Sequence, residues 1–241
     1  MSTIAEVQNA IRRLDREDRY IIACWLERYE EEDPSFTGVQ EPALEYSDPL
    51  LYMTEQEYLA FEESSPKRHE YVNGYVHAMC GATMAHSRVV FRLQMALAKR
   101  LGAGPCESFS SGLKLKVDTV SDKEYLYPDI MVSCDRAGWR EKWLLNPRLI
   151  VEVLSPSTQH IDRREKATTY RSLPSMEEYV IAAQSSPRLT IFRRAERWTP
   201  KVVNGPEAVA EFRSLGVSIP LAEIYQGVFP DSAPAKGVDP E

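Results

Sequence analysis

Two short apolar segments that each contain one carboxylate constrain the fold of this chain most. They are Tyr127–Val132, which includes Asp129, and Leu149–Leu154, which includes Glu152. Apolar runs of this length are typical of buried β-strands, where an unpaired charge is costly. Because carboxylate oxygens on neighbouring strands suit Mg²⁺ or Mn²⁺, the pair predicts a divalent-metal site that cuts phosphodiesters.

Each acid has an ordinary interpretation when it is taken alone. A Pro-Asp dipeptide such as Pro128-Asp129 is common in turns, and a single buried glutamate such as Glu152 can be neutralised by an arginine. The metal-site hypothesis therefore depends on the two strands being neighbours.

Length and composition are typical of a soluble globular protein. The 241 residues suffice for one substantial domain and a small module, and no apolar run is long enough for a transmembrane helix. The N-terminus lacks the pattern of a signal peptide, so we expect a cytoplasmic protein without a membrane partner. The cysteines show no zinc-type spacing, and we expect four free thiols: Cys24, Cys80, Cys106 and Cys134.

The net charge of −7 argues against a broadly cationic nucleic-acid binder. Residues 1–35 hold 5 basic and 9 acidic residues, a net of −4, and the remainder holds 24 basic and 27 acidic residues, a net of −3. If several acids of the main part bind a metal, that part need not repel a phosphate backbone.

The chain divides into four predicted segments. Residues 1–35 have capping-box spacing at Thr3 and Glu6 and two helical repeats of apolar residues, which predict a helical hairpin. Residues 36–50 are rich in Pro, Glu and Asp and predict a linker. The main domain is expected at 51–230, and the Pro- and Ala-rich residues 231–241 are expected to be disordered.

The main domain alternates helical and strand patterns. Thr54 and Glu57 form a capping box for a helix that ends before Pro66, and Asn73-Gly74 marks a hairpin within Glu70–Met79. A long helix that contains His86 ends at Gly102, and the polar residues 118–126 predict a loop. Strands are predicted near 112–117, 127–133, 148–154, 178–183 and 189–194, with a helix over 162–172. This order predicts an α/β fold with a mixed β-sheet flanked by helices.

The segment after Glu152 adds groups that suit phosphate. Ser155 begins a polar loop, and the following helix places Asp162, Lys166 and Tyr170 on one face, at i, i+4 and i+8. An Asp–Lys pair at this spacing is usually a weak surface salt bridge. Because this helix leaves the strand of Glu152, we expect Lys166 to reach the same site.

These motifs carry a family resemblance. Tyr127-Pro128-Asp129, the string from Val151 to Thr158, and the downstream Asp162, Lys166 and Tyr170 resemble the Uma2 family of the PD-(D/E)XK nuclease superfamily. Glu70–Gly74 and His86 resemble its upstream motifs, and the resemblance covers about residues 51–228. It implies a restriction-endonuclease-like fold and a metal-dependent DNA endonuclease with Mg²⁺ or Mn²⁺ as cofactor. The superfamily lysine would fall at Leu154, so the resemblance points to Lys166 instead.

Phosphodiester chemistry and the resemblance together suggest roles for individual residues. Glu70, Asp129 and Glu152 would bind the metal, and Asp129, Glu152 and Lys166 would be catalytic. Asp162, Tyr170, Ser155 and His86 would support them, although a lone histidine on an apolar helix face is more often a core residue. Candidates for contacts to the DNA backbone are Arg88, Arg92, Lys114, Lys116, Arg163 and Arg164.

Two alternatives stay open at this point. The same fold without the motif lysine, and with an acidic surface, suits a catalytically inactive module that binds nucleic acid or protein. Residues 1–35 also resemble, weakly, the short helical modules by which antitoxins bind a protein partner. The expected partners are therefore DNA, a second copy of the chain in a homodimer, and a protein for the N-terminal hairpin.

Overall fold

The computed structural model of the protein describes residues 51–79, 82–110, 112–119, 123–154 and 166–229. All of these residues belong to one unit, Asp48–Glu241. The predicted hairpin at 1–35, the linker at 36–50 and the tail at 231–241 lie outside the described residues. Within the described part of the chain, no helix has both the length and the apolar character that crossing a bilayer requires.

The described residues form fourteen strands and four α-helices. The strands are β1 (Leu51–Tyr52), β2 (His69–Val72), β3 (Tyr75–Ala78), β4 (Glu107–Ser110), β5 (Lys114–Asp118), β6 (Lys123–Leu126), β7 (Ile130–Ser133), β8 (Trp143–Leu144), β9 (Leu149–Leu154), β10 (Glu178–Ala183), β11 (Arg188–Arg193), β12 (Lys201–Asn204), β13 (Val209–Phe212) and β14 (Val217–Pro220). The helices are α1 (Glu55–Ser64), α2 (Met84–Leu101), α3 (Ala167–Ser172) and α4 (Leu221–Ile224).

Local sequence signals set the ends of several elements. The Thr54 hydroxyl accepts the Glu57 amide and the Glu57 carboxylate accepts the Thr54 amide, which confirms the predicted capping box of α1. Helix α2 ends at Leu101 and is capped by Gly102, the glycine predicted to close it. Asn73 and Gly74 adopt positive φ angles of 50° and 99° between β2 and β3, as a tight hairpin turn requires.

The strands form two six-stranded mixed sheets and a separate hairpin. The first sheet has the order β1-β3-β2-β6-β5-β8, the second has the order β12-β11-β10-β9-β7-β4, and β13 pairs with β14. In the second sheet β9 and β10 are parallel, while β7 and β9 are antiparallel. This arrangement confirms the predicted α/β fold with mixed β-structure, and α3 lies in the connection from β9 to β10.

The boundary between the two sheets falls inside a segment that we predicted as one strand. The predicted strand 127–133 begins only at Ile130, and the predicted loop 118–126 contains β6. Strand β6 forms because it pairs with both β2 and β5, a tertiary effect that local polarity does not reveal. Residues 127–129 therefore join the last residue of β6, in the first sheet, to β7 in the second.

Two apolar cores pack against opposite faces of the second sheet. On one face α2 packs through Val89, Leu93 and Leu97 against residues such as Val151. On the other face, residues of α3 and of the first sheet, including Tyr170 and Leu115, pack against Ile150 and Leu154. Since side chains alternate along a strand, Glu152 shares its face of β9 with Ile150 and Leu154.

A disulfide bond corrects the prediction of four free thiols. Cys106 is bonded to Cys134, with 3.9 Å between their Cα atoms. The antiparallel register that places Glu107 opposite Ser133 continues outward to these two cysteines, so strand pairing brings them together. Their separation of 28 residues along the chain hides this proximity from the sequence.

Candidate active site

Asp129 and Glu152 are brought together by strand register. Strands β7 and β9 pair Ile130 with Val151 and Met131 with Ile150, and the next position along the same register places Asp129 opposite Glu152. The Asp129 amide donates to Glu152 Oε2 at 3.4 Å, and the Val153 amide donates to Asp129 Oδ2 at 2.8 Å. The neighbouring strands on which the metal-site hypothesis depends are therefore present.

The Glu152 carboxylate is held from the α3 side. Glu152 is only 5% exposed, and its Oε1 accepts a 2.7 Å hydrogen bond from the hydroxyl of the fully buried Tyr170. Burial and the adjacent charge of Glu152 raise the pKa of Tyr170 well above its usual value. The phenol therefore remains protonated and acts as a donor that orients the carboxylate.

His86 holds the other carboxylate from the first turn of α2. Its Nε2 lies 3.1 Å from Asp129 Oδ2, which also accepts the Val153 amide. A bond to a carboxylate requires the ring to carry its proton at Nε2. The His86 Nδ1 atom is buried and has no hydrogen-bond partner in the described part of the chain. His86 thus lies beside the predicted site rather than serving only as a core residue.

Lys166 and Glu70 form an ion pair beside the segment that precedes Asp129. Lys166 Nζ lies 3.0 Å from Glu70 Oε1, and the same oxygen accepts the Tyr127 amide at 3.0 Å. The side chains of Lys166 and Glu70 are 21% and 13% exposed. The pair therefore connects β2 of the first sheet, the segment before Asp129 and the start of α3. His77 lies opposite Glu70 across β2 and β3, and burial lowers the pKa of its imidazole.

A second buried carboxylate lies next to this pair and was not predicted. Glu62 Oε1 accepts the Tyr127 hydroxyl at 2.7 Å, and Glu62 Oε2 lies 3.0 Å from His69 Nδ1. Burial and the neighbouring Glu62 raise the pKa of Tyr127, so its hydroxyl stays a donor. Glu62 lies on α1, where the sequence offers only a helical pattern that gives no sign of a distant tyrosine.

The two candidate lysines of β5 face aromatic rings. Lys114 is buried, with its Nζ 5.9 Å from the centre of the Tyr58 ring, and burial lowers its pKa. Lys116 forms a 2.8 Å ion pair with Glu55. Lys116 already has an anionic partner and Lys114 is buried beside Tyr58, so a phosphate contact by either lysine would require a rearrangement.

Of the remaining predicted site residues, Arg88 and Arg92 lie in the described part of the chain and the others lie outside it. Arg88 is exposed and donates to the Gly227 carbonyl at 3.1 Å, while Arg92 is half-buried. The predicted positions outside the described residues are Ser155, Asp162, Arg163 and Arg164. Leu154, at the position of the superfamily lysine, is 3% exposed in the core beneath α3.

The donor set fits a hard divalent cation. Among the described residues, no three His, Cys, Asp or Glu side chains form a group that could hold a metal by themselves. Mg²⁺, however, usually binds through one or two carboxylates and keeps several waters and substrate oxygens. Asp129 has two donors on Oδ2, and no hydrogen bond from the described residues reaches its Oδ1. Asp129 and Glu152 therefore fit a two-carboxylate site.

Comparison with known proteins shows what this chain resembles. Residues 55–222 match the model of the Uma2 family, which is described as "Putative restriction endonuclease". Two relatives are the uncharacterised proteins slr1290 and sll1609 of Synechocystis sp. (strain ATCC 27184 / PCC 6803 / Kazusa). The first is 32% identical over 184 residues, 76% of this chain and 96% of the relative, and the second is 30% identical over 165 residues, 66% and 92% respectively.

The fold has a counterpart among solved structures. A crystal structure from Anabaena variabilis ATCC 29413, described as a "putative nuclease belonging to DUF820", has a TM-score of 0.61 and 14% sequence identity to this chain. It covers 73% of this chain and 99% of its own, and at this identity it supports the fold alone. The family match extends over more than half of the 241 residues, and the chain therefore belongs to the Uma2 family.

Proposed function

We propose that the protein is a Mg²⁺- or Mn²⁺-dependent endonuclease that hydrolyses phosphodiester bonds in DNA. The observation that carries this proposal is the position of Asp129, directly before β7, opposite Glu152 within β9. Two carboxylates in a largely buried position suit a hard cation and a phosphate. The description of the family, "Putative restriction endonuclease", supports the same activity.

Asp129 and Glu152 would hold the cation, with water and phosphate oxygens as its other ligands. When bound, a divalent cation would polarise a phosphoryl oxygen and make its bound water more acidic. The residues around the carboxylates keep them oriented: His86 and the Val153 amide hold Asp129, and Tyr170 holds Glu152. Such outer contacts typically contribute about 10- to 100-fold in metal affinity or activity.

In hydrolysis an oxygen of water forms a bond to phosphorus, one ester bond of phosphorus breaks, and the departing oxygen takes up a proton. Negative charge grows on the phosphoryl and departing oxygens as this happens. The Lys166 ammonium, held 3.0 Å from Glu70 near the Asp129 segment, is the chain's candidate for stabilising that charge. From its position directly before α3, it would perform the role that a lysine at position 154 has in the superfamily motif.

The test compares wild type with Asp129→Asn. This substitution keeps a similar shape and a hydrogen-bond acceptor but removes the charge. We expect calorimetry to show Mn²⁺ and Mg²⁺ binding in wild type. In the variant the loss of metal affinity should exceed the loss of about 10- to 100-fold that is typical when a residue around the metal ligands is changed. Cleavage of linear, supercoiled and branched DNA should disappear with it. A supercoiled substrate also separates nicking of one strand from cutting of both.

Three results would overturn the proposal or redirect it. Wild type that binds neither cation nor cuts any DNA contradicts a metal-dependent nuclease. Wild type that binds DNA without binding Mn²⁺ instead supports the inactive binding module, for which the apolar Leu154 at the motif position is the favouring observation. Cleavage that survives Asp129→Asn would place the chemistry elsewhere in the chain.

A further inference from the structure

We infer that Glu70 is a positioning residue for Lys166 and does not bind the metal. The inference rests on the proposed nuclease function and changes the role that the family resemblance suggested for Glu70. The starting observation is that one carboxylate oxygen, Glu70 Oε1, accepts both the Lys166 ammonium and the Tyr127 amide at 3.0 Å.

Glu70 already faces a cation, the Lys166 ammonium. Lys166 and Glu70 are mostly buried, and an ion pair under these conditions is much less screened than one at the surface. A divalent cation on the same carboxylate would face the repulsion of the Lys166 ammonium at short range. In the described part of the chain, Glu70 also does not join Asp129 and Glu152 in a metal-holding group.

Lys166 needs a partner in order to act at a fixed place. A lysine side chain loses about 2 kcal/mol of rotamer entropy when it is fixed in one conformation. Lys166 precedes α3 and belongs to the connection from β9 to β10, whereas Glu70 belongs to β2 in the first sheet. The ion pair therefore holds the ammonium at a point defined by the other sheet.

The Tyr127 amide links the same Glu70 carboxylate to the segment that carries Asp129. Tyr127 is two residues before Asp129, and its amide is bonded to Glu70 Oε1. One oxygen thus sets the spacing between Lys166 and the segment that carries Asp129. Loss of its charge should reduce the rate of the chemical step and leave metal binding at Asp129 and Glu152 intact.

The test measures two substitutions alone and in combination, which gives three variants: Glu70→Gln, Lys166→Met and the double variant. Glu70→Gln keeps an acceptor for the Tyr127 amide and removes only the charge that faces Lys166. We expect its Mn²⁺ affinity to stay within about twofold of wild type and its single-turnover cleavage rate to fall about 10- to 100-fold, with little change in KM. Lys166→Met should add little further loss in the Glu70→Gln background, because the two residues act as one unit.

The matched control is Glu62→Gln, which makes the same chemical change on a neighbouring buried carboxylate bonded to Tyr127 and His69. The inference is overturned if Glu70→Gln weakens Mn²⁺ binding tenfold or more, if it slows cleavage no more than Glu62→Gln, or if the losses from Glu70→Gln and Lys166→Met multiply. In each of these cases active wild type preserves the proposed function. Wild type that neither binds Mn²⁺ nor cuts DNA removes the proposed function and this inference with it.

Discussion

The hydrogen bond from Tyr170 to Glu152 allows a quantitative test of how the buried acid is stabilised. Tyr170→Phe removes only the hydroxyl that donates to Glu152 Oε1 at 2.7 Å, and Tyr170 has no solvent exposure to compensate for the loss. A hydrogen bond to a charged group contributes about 1.5–3 kcal/mol, against about 0.5–1.5 kcal/mol for a neutral pair. A further donor to this carboxylate, the Asp129 amide, lies at the longer distance of 3.4 Å. We therefore expect a loss of about 1.5–3 kcal/mol in the free energy of unfolding.

The matched control is Tyr225→Phe. Tyr225 is 5% exposed, and its hydroxyl donates at 2.8 Å to the neutral carbonyl of Arg188, so the same substitution should cost about 1 kcal/mol. The measurement is urea unfolding of both variants and wild type at pH 7 in EDTA, with equal m-values as the check on two-state behaviour. If Tyr170→Phe costs no more than Tyr225→Phe, the carboxylate of Glu152 does not carry the buried charge that the site requires.

Two further predictions concern ionisation and the disulfide. The hydrogen bond from Lys116, assisted by Tyr125, lowers the pKa of Glu55 from 4.5 to about 2, so its stabilisation is complete above pH 4.5 and is lost as the pH falls through 2. Since the Glu55 side chain is 25% exposed, Glu55→Gln should lower the free energy of unfolding by roughly 1–2 kcal/mol at pH 7 after allowance for solvent screening. In urea unfolding at pH 7, 4 and 2.5, the difference in unfolding free energy between the variant and wild type should shrink as the pH falls. A constant difference would contradict the ion pair. Removal of the Cys106–Cys134 bond, which closes a separation of 28 residues, should lower the unfolding free energy by up to about 3–4 kcal/mol. The measurement is the unfolding free energy of wild type and of Cys106→Ser, each with and without reductant. A wild type whose stability does not change in reductant would refute the stabilisation by this disulfide.

The sequence predicted those features of the fold and of the candidate site's geometry that depend on strand pattern and on local signals. Asp129 and Glu152 interrupt apolar runs, and such interruptions are informative because a buried strand does not accept a charge without compensation. The capping box of α1 and the hairpin at Asn73-Gly74 are specified by adjacent residues, and both are present.

Contacts between distant parts of the chain were not accessible in the same way. The bond between Glu70 and Lys166 spans 96 residues and that between Glu62 and Tyr127 spans 65, so each depends on how the two sheets pack. Strand β6 and the Cys106–Cys134 bond depend on pairing partners elsewhere in the chain. Periodicity describes one element at a time and does not contain this information.

The short segment 127–129 has a mechanical consequence. It joins β6 in the first sheet to β7 in the second, and it ends with Asp129. Glu70 belongs to the first sheet and Glu152 to the second, so a sliding displacement of one sheet over the other would change the distances from these residues to Asp129. Substitutions in the apolar layer between the sheets, such as Leu115 or Ile150, should therefore change the distances among Glu70, Asp129 and Glu152 without altering any of these three residues.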